Sequence, residues 1–209
     1  MPKSEPFERR TERYDDWFDR HEPAYRSEVR ALQTLVDEPG NGLEIGVGTG
    51  RFAEPLGIGV GVDPAGEMLA RARDRNVAVV QGVAEALPFR SNSFDTALMV
   101  TTICFVDDVP TAIAEAKRVL RPGGSFVLGY IDEESPVGRI YKEKKADNPF
   151  YEEAVFVSTD ELVEALEAAG FRDFEFVQTI FEWPGDLTDP EPVETGYGEG
   201  SFVGVEATR

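Results

Sequence analysis

The sequence predicts an α/β fold, built on a parallel sheet with helices on both faces. Short apolar runs alternate with helix-like segments from residue 42 onward, and this alternation is typical of βαβ units. The first apolar run is followed at once by glycines at alternate positions, Gly46, Gly48 and Gly50. Glycine lets the backbone bend sharply and lets a ligand approach it closely. The turn after the first strand is therefore the expected centre of a binding site.

The first part of the predicted sheet is regular. Strands are predicted at residues 42–45, 58–63, 77–80, 94–100 and 125–131. Helices are predicted at residues 67–74 and 108–120, and another is expected to begin at about Ala53, directly after the glycine turn. Because ligands of such sheets bind beyond the carboxyl ends of the strands, the residues that follow the strands should meet at one edge.

The regular alternation ends at about residue 132. Residues 132–153 are a polar insertion at the predicted ligand edge, and they either shape a substrate pocket or form a solvated helix. A further helix is predicted from Thr159 to Gly170. Two more strands are predicted at residues 171–180 and 201–207, and the Pro- and Gly-rich residues 184–200 between them are expected to be a loop.

The residues before the glycine turn are predicted to form an N-terminal helical cap, residues 1–38, in front of a main domain at residues 39–209. Apolar residues recur every three or four positions between residues 5 and 36, which predicts one or two amphipathic helices with a break near Pro23. The cap either covers an edge of the sheet or closes the ligand pocket. The candidates for the second role are Tyr14, Trp17, His21 and Tyr25.

Composition excludes several classes of function. The net charge is −19, which disfavours nucleic acid because a phosphate backbone would be repelled. No apolar run approaches the ~18 residues of a membrane span, so no membrane span and a cytoplasmic location are expected. The single cysteine, Cys104, leaves no internal disulfide or cysteine-based metal cluster, and no metal site is predicted. The acidic excess fits either a high-salt environment or ordinary solubility.

The glycine turn is compatible with two classes of nucleotide ligand. A dinucleotide-binding turn has the pattern G-x-G-x-x-G, but counting from Gly46 places Arg51 where the third glycine belongs. Counting from Gly48 places Ala53 there, an allowed variant at an awkward distance from the strand. Glu44 precedes the turn, and an acid at this position suits a cationic ligand better than a pyrophosphate.

An ordered set of motifs resembles the class I S-adenosylmethionine (SAM)-dependent methyltransferases, in the type 11 branch that includes small-molecule and quinone-biosynthesis enzymes. Glu44-x-Gly46-x-Gly48-x-Gly50 is similar to the family's motif I. Residues 81–89 resemble its adenine-side loop, and residues 93–95 and 116–124 are also typical of it. The resemblance covers roughly residues 43–131. It implies a Rossmann-like, seven-stranded and mostly parallel sheet, with an antiparallel last strand inserted between the fifth and sixth strands.

The resemblance also implies a cofactor site, with S-adenosyl-L-methionine as the cofactor. Asp63 matches the acid that the family uses to bind the ribose hydroxyls. The residues implied in cofactor binding are Glu44, Gly46, Gly48, Gly50, Asp63, Pro64, Ala84, Glu85 and Thr101. The adenine-side loop departs from the family in carrying Val83 where an aspartate is usual, so Ala84 or Glu85 is expected to take over that contact.

The expected reaction is transfer of a methyl group to a small-molecule acceptor by in-line displacement. Such a transfer needs chiefly alignment in a dry pocket, and a base only if the acceptor must first lose a proton. The candidates for a catalytic base or positioning group are His21, Asp132 and Tyr14. A non-catalytic SAM- or nucleotide-binding module and an NAD-type oxidoreductase are the alternatives. The sequence identifies neither the acceptor nor the oligomeric state.

Overall fold

A computed structural model describes residues 4–36 and 38–209 of the chain. Seven α-helices occur in these residues: α1 Glu5–Arg9, α2 Thr11–Arg20, α3 Glu22–Leu35, α4 Gly66–Asp74, α5 Val109–Val119, α6 Pro136–Lys144 and α7 Thr159–Ala168. The strands are β1 Gly42–Ile45, β2 Val60–Asp63, β3 Ala78–Gln81, β4 Phe94–Val100, β5 Leu120–Ile131, β6 Arg172–Thr179, β7 Glu194–Thr195 and β8 Phe202–Thr208. Short 3₁₀ turns lie at Ile103–Phe105 and Lys145–Asp147.

The strands form one sheet in the order β3-β2-β1-β4-β5-β8-β6-β7. The first five strands in this order are parallel to one another, whereas β8 is antiparallel to both β5 and β6. The predicted Rossmann-like sheet with an inserted antiparallel last strand is therefore confirmed. The two-residue strand β7 adds an eighth member at the edge, inside the segment that was predicted to be a loop.

The helix expected after the glycine turn is absent: residues 51–57 form consecutive turns. Two helix-like bonds do form, from the N–H of Glu54 to Gly50 O and from the N–H of Leu56 to Phe52 O, both at 3.3 Å. Between them, Pro55 has no N–H to donate to the carbonyl of Arg51. That carbonyl instead accepts the hydroxyl of Tyr25, at 2.5 Å. A prediction based on the apolar pattern alone was wrong here.

The N-terminal segment forms three helices where one or two were predicted. Helices α2 and α3 meet at His21, and Pro23 lies in the first turn of α3, where its missing N–H costs no helical hydrogen bond. Pro64 lies ahead of helix α4, whose N-cap is Ala65. The insertion contains α6, which Ser135 caps by accepting the N–H of Gly138 at 3.0 Å.

The sheet has apolar layers on both faces. One layer joins strand residues such as Met99 and Phe126 to Ile113 of α5 and Leu166 of α7. The other joins the opposite face to the N-terminal helices, and includes Phe18, Leu32, Val100, Val127 and Phe202. The N-terminal helices thus share a core with the sheet. In the described part of the chain, no helix has the length and apolar character needed to cross a membrane.

Candidate functional site

A cavity of about 460 Å³ opens at the carboxyl ends of β1, β2 and β4, beneath the N-terminal helices. Its walls fall into two groups. The sheet contributes the loops that follow the strands, with Gly46, Gly48, Asp63, Pro64, Gly82, Val83, Ala84, Glu85, Thr101 and Thr102. The N-terminal helices and the insertion contribute mainly aromatic residues, with Phe7, Tyr14, Trp17, Phe18, Tyr141, Phe150 and Tyr151.

The first two glycines of the turn shape the cavity floor. Gly46 has φ +76°, and a Cβ at this position would overlap Oγ1 of Thr102 and lie 2.8 Å from its Cβ. Any larger residue would therefore be both strained and in collision. Gly48 has φ +51°, and a Cβ there would meet the hydroxyl of Tyr14 at 3.6 Å. Gly50 lies outside the cavity lining and packs against α4, where a Cβ on this glycine would lie 3.2 Å from the Cα of Ala72.

Asp63 ends β2 and is fixed to the glycine turn. Its Oδ2 accepts the N–H of Gly48 at 2.9 Å and its Oδ1 accepts the N–H of Ala65 at 2.8 Å. Burial raises the pKa of Asp63, the two backbone bonds oppose that shift, and the nearby Glu8 adds to it, so the pKa stands at about 6. Each carboxylate oxygen keeps a second lone pair for a hydroxyl donor on the cavity side.

Glu44 lies beneath the turn and does not line the cavity. It is 1% exposed, and its Oε2 has no hydrogen-bond partner among the described residues. Burial, and then the charge of Asp63, raises the pKa of Glu44 well above its ordinary value. A cation bound over the turn would stabilise both carboxylates in their charged forms. This donor set fits a ligand that carries hydroxyl groups and positive charge, as SAM does, better than it fits a pyrophosphate.

The loop after β3 forms the adjoining wall. Gly82, Val83, Ala84 and Glu85 all line the cavity. Glu85 also accepts the N–H of Asp107 at 2.7 Å, which ties this loop to the segment that leads into α5. The wall therefore has an apolar surface at Val83 and polar backbone beside it, an environment suited to a flat heteroaromatic ring.

Thr101 and Thr102 close the site at the end of β4. Thr101 has φ +48°, a conformation that is strained for a β-branched residue. Its N–H donates to Gly129 O at 2.7 Å, which holds the strained residue against β5. Thr102 donates to Gly46 O at 3.3 Å and to Val100 O at 3.0 Å. Strain of this kind is commonly found at binding sites.

Aromatic rings form the wall opposite the sheet. The ring of Phe7 lies 5.0 Å from that of Phe105, 5.4 Å from Phe150 and 5.7 Å from Tyr14, measured between centroids. The rings of Tyr141 and Tyr151 meet edge to face at 5.8 Å. Phe105 belongs to the 3₁₀ turn after β4, and the other rings come from α1, α2, α6 and the residues that follow α6. The cap and the insertion thus enclose the cavity together with that turn.

The three catalytic candidates occupy different places. Tyr14 lines the cavity next to Gly48, and burial followed by the charges of Glu44 and Asp63 raises its pKa far above the ordinary value. Its hydroxyl is therefore a hydrogen-bonding group and not a base. His21 lies outside the lining, with Nδ1 2.9 Å from Trp17 O and its ring stacked on Trp17.

Asp132 also lies outside the cavity lining. It is buried, its Oδ2 accepts the hydroxyl of Thr159 at 2.8 Å, and its Oδ1 accepts the N–H of Glu134 at 3.0 Å. The side chain thus joins β5 to α7. The position after β5 suggested an acid at the reactive edge, but its hydrogen bonds direct it into the packing between elements.

Several wall residues were not among the predicted site residues. Phe7, Phe150 and Glu28 reach the cavity from segments whose placement depends on tertiary packing. Glu28 did carry a signal in the sequence: it lies three residues after Tyr25 and four before Leu32, inside the apolar stripe of its helix. A buried carboxylate is ordinarily paired with a cation or a hydrogen-bond donor, so an unpaired one indicates a function.

Sequence comparison finds relatives of this chain among known proteins. The methyltransferase domain family matches residues 43–128. An uncharacterized protein of Methanocaldococcus jannaschii is 43% identical over 203 residues, which are 97% of this chain and 98% of that protein. A demethylmenaquinone methyltransferase of Lactococcus lactis is 28% identical over 159 residues, 73% of this chain and 58% of that protein.

A solved structure matches this chain closely over nearly its whole length. It comes from Thermotoga maritima, is described as a SAM-dependent methyltransferase and possible histamine N-methyltransferase, and is 49% identical with a TM-score of 0.95. The match covers 98% of this chain and 99% of that one. The fold, the site and these relatives define the class: this chain belongs to the class I SAM-dependent methyltransferases. It is an enzyme whose cofactor is SAM, and the dinucleotide alternative is set aside.

Proposed function

We propose that this enzyme transfers the methyl group of SAM to a small-molecule acceptor that binds in the aromatic part of the same cavity. The observation that carries the proposal is the shared enclosure. One cavity has the glycine turn and Asp63 on one side and the rings of Phe7, Phe150 and Tyr151 on the other. A volume of about 460 Å³ is in the range of small-molecule sites. It suits an acceptor of limited size and not a folded macromolecule.

Bound SAM would supply an electrophilic methyl group on a positively charged sulfur. On this proposal, Asp63 holds the ribose hydroxyls, the backbone at Gly46 and Gly48 receives the methionine part, and residues 82–85 receive the adenine. Pro64 and Thr101 complete the contact surface, while Glu44 and Gly50 support the turn from beneath. The aromatic wall excludes water, so that the acceptor and the methyl carbon can be aligned for in-line displacement.

The proposal also assigns a role to each part of the chain. Residues 1–38 would act as the cap of the acceptor site and residues 39–209 as the cofactor-binding domain. Two relatives with named acceptors support a small-molecule substrate: one is described as a possible histamine N-methyltransferase and the other as a demethylmenaquinone methyltransferase. The net charge of −19 disfavours a nucleic-acid substrate. A cytoplasmic location remains a prediction.

Calorimetry followed by a transfer assay tests this proposal. The purified full chain is titrated with SAM, with its demethylated product S-adenosylhomocysteine (SAH), and with NAD as the negative control. It is then incubated with SAM and a panel of small amines, phenols, thiols and quinols, and products are sought by mass spectrometry as the gain of one methyl group. Binding of SAM and SAH together with methylation of a panel member supports the proposal. Failure of SAM and SAH to bind would refute it.

A further inference from the structure

Glu28 of helix α3 is a buried acid that faces the cavity. It lines the wall, only 8% of its surface is exposed, and no hydrogen bond or opposite charge among the described residues compensates for that burial. Burial alone raises its pKa to about 8. An ionisable group this buried is ordinarily paired. Its free carboxyl therefore points to a ligand as the missing partner.

The neighbours of Glu28 place it at the acceptor end of the cavity. Burial and then the charge of Glu28 raise the pKa of Tyr141, and the same charge contributes at Tyr151. Both tyrosines belong to the insertion and not to the strand-end loops that surround the expected cofactor. Tyr14, which lies next to Gly48 of the glycine turn, responds to the charges of Glu44 and Asp63 and also to that of Glu28. Glu28 thus belongs to the aromatic part of the cavity, and Tyr14 joins that part to the glycine turn.

The other charges in this wall are arranged in a way that favours a cation. Arg13 and Arg20 line the cavity but are exposed, so they lie at its mouth. No basic side chain of the insertion is among the described lining residues: Lys142 pairs with Glu133 at 2.9 Å, and Lys145 donates to Ala154 O at 3.0 Å. No buried basic residue occurs among the described residues of the lining.

Aromatic rings line the same cavity as this carboxyl. Tyr14, Tyr141 and Tyr151 all respond to the charge of Glu28, and each of their rings lines the cavity. Rings attract a cation through their electron-rich faces, and they pack against apolar groups. A carboxyl in a cavity that is lined by aromatic residues is complementary to an ammonium group on an apolar or aromatic body.

We propose that Glu28 binds the amino group of the methyl acceptor, and that the acceptor is a small primary or secondary amine with an apolar or aromatic body. This inference rests on the proposed function, because it names the acceptor class for the same cavity. It assigns a substrate-binding role to a residue outside the glycine turn and the strand-end loops.

The chemistry of amine methylation gives this carboxyl a second task. A protonated amine has no free electron pair, so it must lose one proton before transfer. The ammonium group favours the charged form of Glu28, and that carboxylate accepts the proton and passes it to solvent after the product leaves. The nitrogen lone pair then forms the N–C bond as the C–S bond breaks, and the electron pair of that bond stays on sulfur as a neutral thioether. The product is a methylated ammonium ion, whose positive charge comes from the sulfonium.

The first test compares ligands that share a phenethyl group and end in a positively charged, a neutral or a negatively charged group. Wild-type protein saturated with SAH is titrated by calorimetry with phenethylamine, 2-phenylethanol and 3-phenylpropanoate, and with histamine as a second amine. We expect the amines to bind about tenfold or more tightly than the alcohol, since an ion pair with Glu28 is available only to them. The carboxylate should bind most weakly.

The second test uses variants of the acid. Glu28→Gln keeps the shape but removes the charge, and Glu22→Gln, at an exposed position of the same helix, is the matched control. Glu28→Gln should weaken phenethylamine about 10- to 100-fold and leave 2-phenylethanol and SAH unchanged. Glu22→Gln should change none of them. Circular dichroism checks folding, and if Glu28→Gln does not fold, the charge series on the wild type decides.

Four results would overturn the inference: an alcohol or carboxylate that binds as tightly as the amines, amine affinity unchanged in Glu28→Gln, SAH affinity reduced as much as amine affinity, or SAH binding with no amine binding at all. The third would assign Glu28 to the cofactor. In each case SAH still binds to the wild type, so the proposed function stands. Absence of SAH binding to the wild type is the different failure, which refutes the proposed function itself.

Discussion

The guanidinium group of Arg51 is held by the carboxylate of Asp15, with Nε 2.9 Å from Oδ1 and Nη2 3.1 Å from Oδ2. Asp15 lies on α2, and Arg51 directly follows the glycine turn. The same carboxylate accepts the hydroxyl of Thr49 at 2.7 Å and Nη2 of Arg75 at 2.8 Å. One buried acid of the cap thus fixes three donors that surround the turn. Arg51, which occupies the place of a dinucleotide-binding glycine, instead attaches the cap to the cofactor loop.

We expect Asp15→Asn to loosen this attachment. Burial alone would raise the pKa of Asp15, but hydrogen bonds from Arg51, Arg75 and Thr49 outweigh it and lower the pKa to about 2. The folded state binds this proton less tightly than the unfolded chain does. The stabilisation is therefore complete above pH ~4 and is lost as the pH falls toward 2.

At neutral pH, Asp15→Asn should lower the free energy of unfolding by about 1–3 kcal/mol, measured by urea denaturation. The matched control is Asp16→Asn, because Asp16 is exposed on the same helix. Equal stability of the two variants at pH 7 would contradict a role for Asp15 in holding the cap.

Asp63→Ala should weaken SAM binding by about 1–3 kcal/mol through the loss of a charge-assisted hydrogen bond to the ribose. Because Asp63 also holds the N–H groups of Gly48 and Ala65, the experiment includes Asp63→Asn, which keeps one acceptor oxygen. We expect an intermediate affinity for that variant, measured by calorimetry. Unchanged affinity in Asp63→Ala would remove this residue from the cofactor site. Asp74→Ala, at an exposed position of α4, serves as the control.

Gly46→Ala should destabilise the protein and abolish SAM binding, because the new methyl group would overlap Thr102 and φ is +76°. The strain and the collision together should cost about 2 kcal/mol or more. Gly59→Ala is the control, since a Cβ at Gly59 would meet nothing within 4 Å. Thermal unfolding and calorimetry report the two effects. Wild-type affinity in Gly46→Ala would show that the turn tolerates a side chain.

The stability of the protein should carry a pH dependence that belongs to Glu28. Burial raises the pKa of this acid from 4.5 to about 8, so between those values the folded state keeps a proton that the unfolded chain has released. The free energy of unfolding therefore falls as the pH rises, by at most about 1.4 kcal/mol per pH unit. Glu28→Gln should remove this part of the slope. Denaturation series from pH 5 to pH 8 on both proteins measure it, and parallel curves would contradict the prediction.

The strand-end loops could be predicted because each depends on a local signal. Strand β4 was predicted with the observed bounds, Phe94–Val100, since it is an apolar run between a turn and a polar segment. The acids and glycines after the strands then meet because parallel strands end at one edge. Local sequence was sufficient to place Gly46, Asp63 and Ala84 around one cavity.

The other wall could not be predicted in this way. Phe7 and Phe150 are 143 positions apart in the chain, yet their rings lie 5.4 Å apart. Nothing periodic in the sequence connects them, because their contact depends on how the cap and the insertion pack over the sheet. The turns after the glycines were missed for a related reason: the Arg51 carbonyl takes its hydrogen bond from Tyr25, a residue 26 positions away.

The position of β8 has a consequence for how the protein is made. Strand β8 lies between β5 and β6, which both precede it in the chain. Until residues 202–208 have left the ribosome, β5 and β6 each present an open edge of backbone N–H and C=O groups that can pair with another chain. The sheet thus closes only after synthesis of the segment that seals it. Until then, the edges of β5 and β6 that pair with β8 stay exposed in the nascent protein.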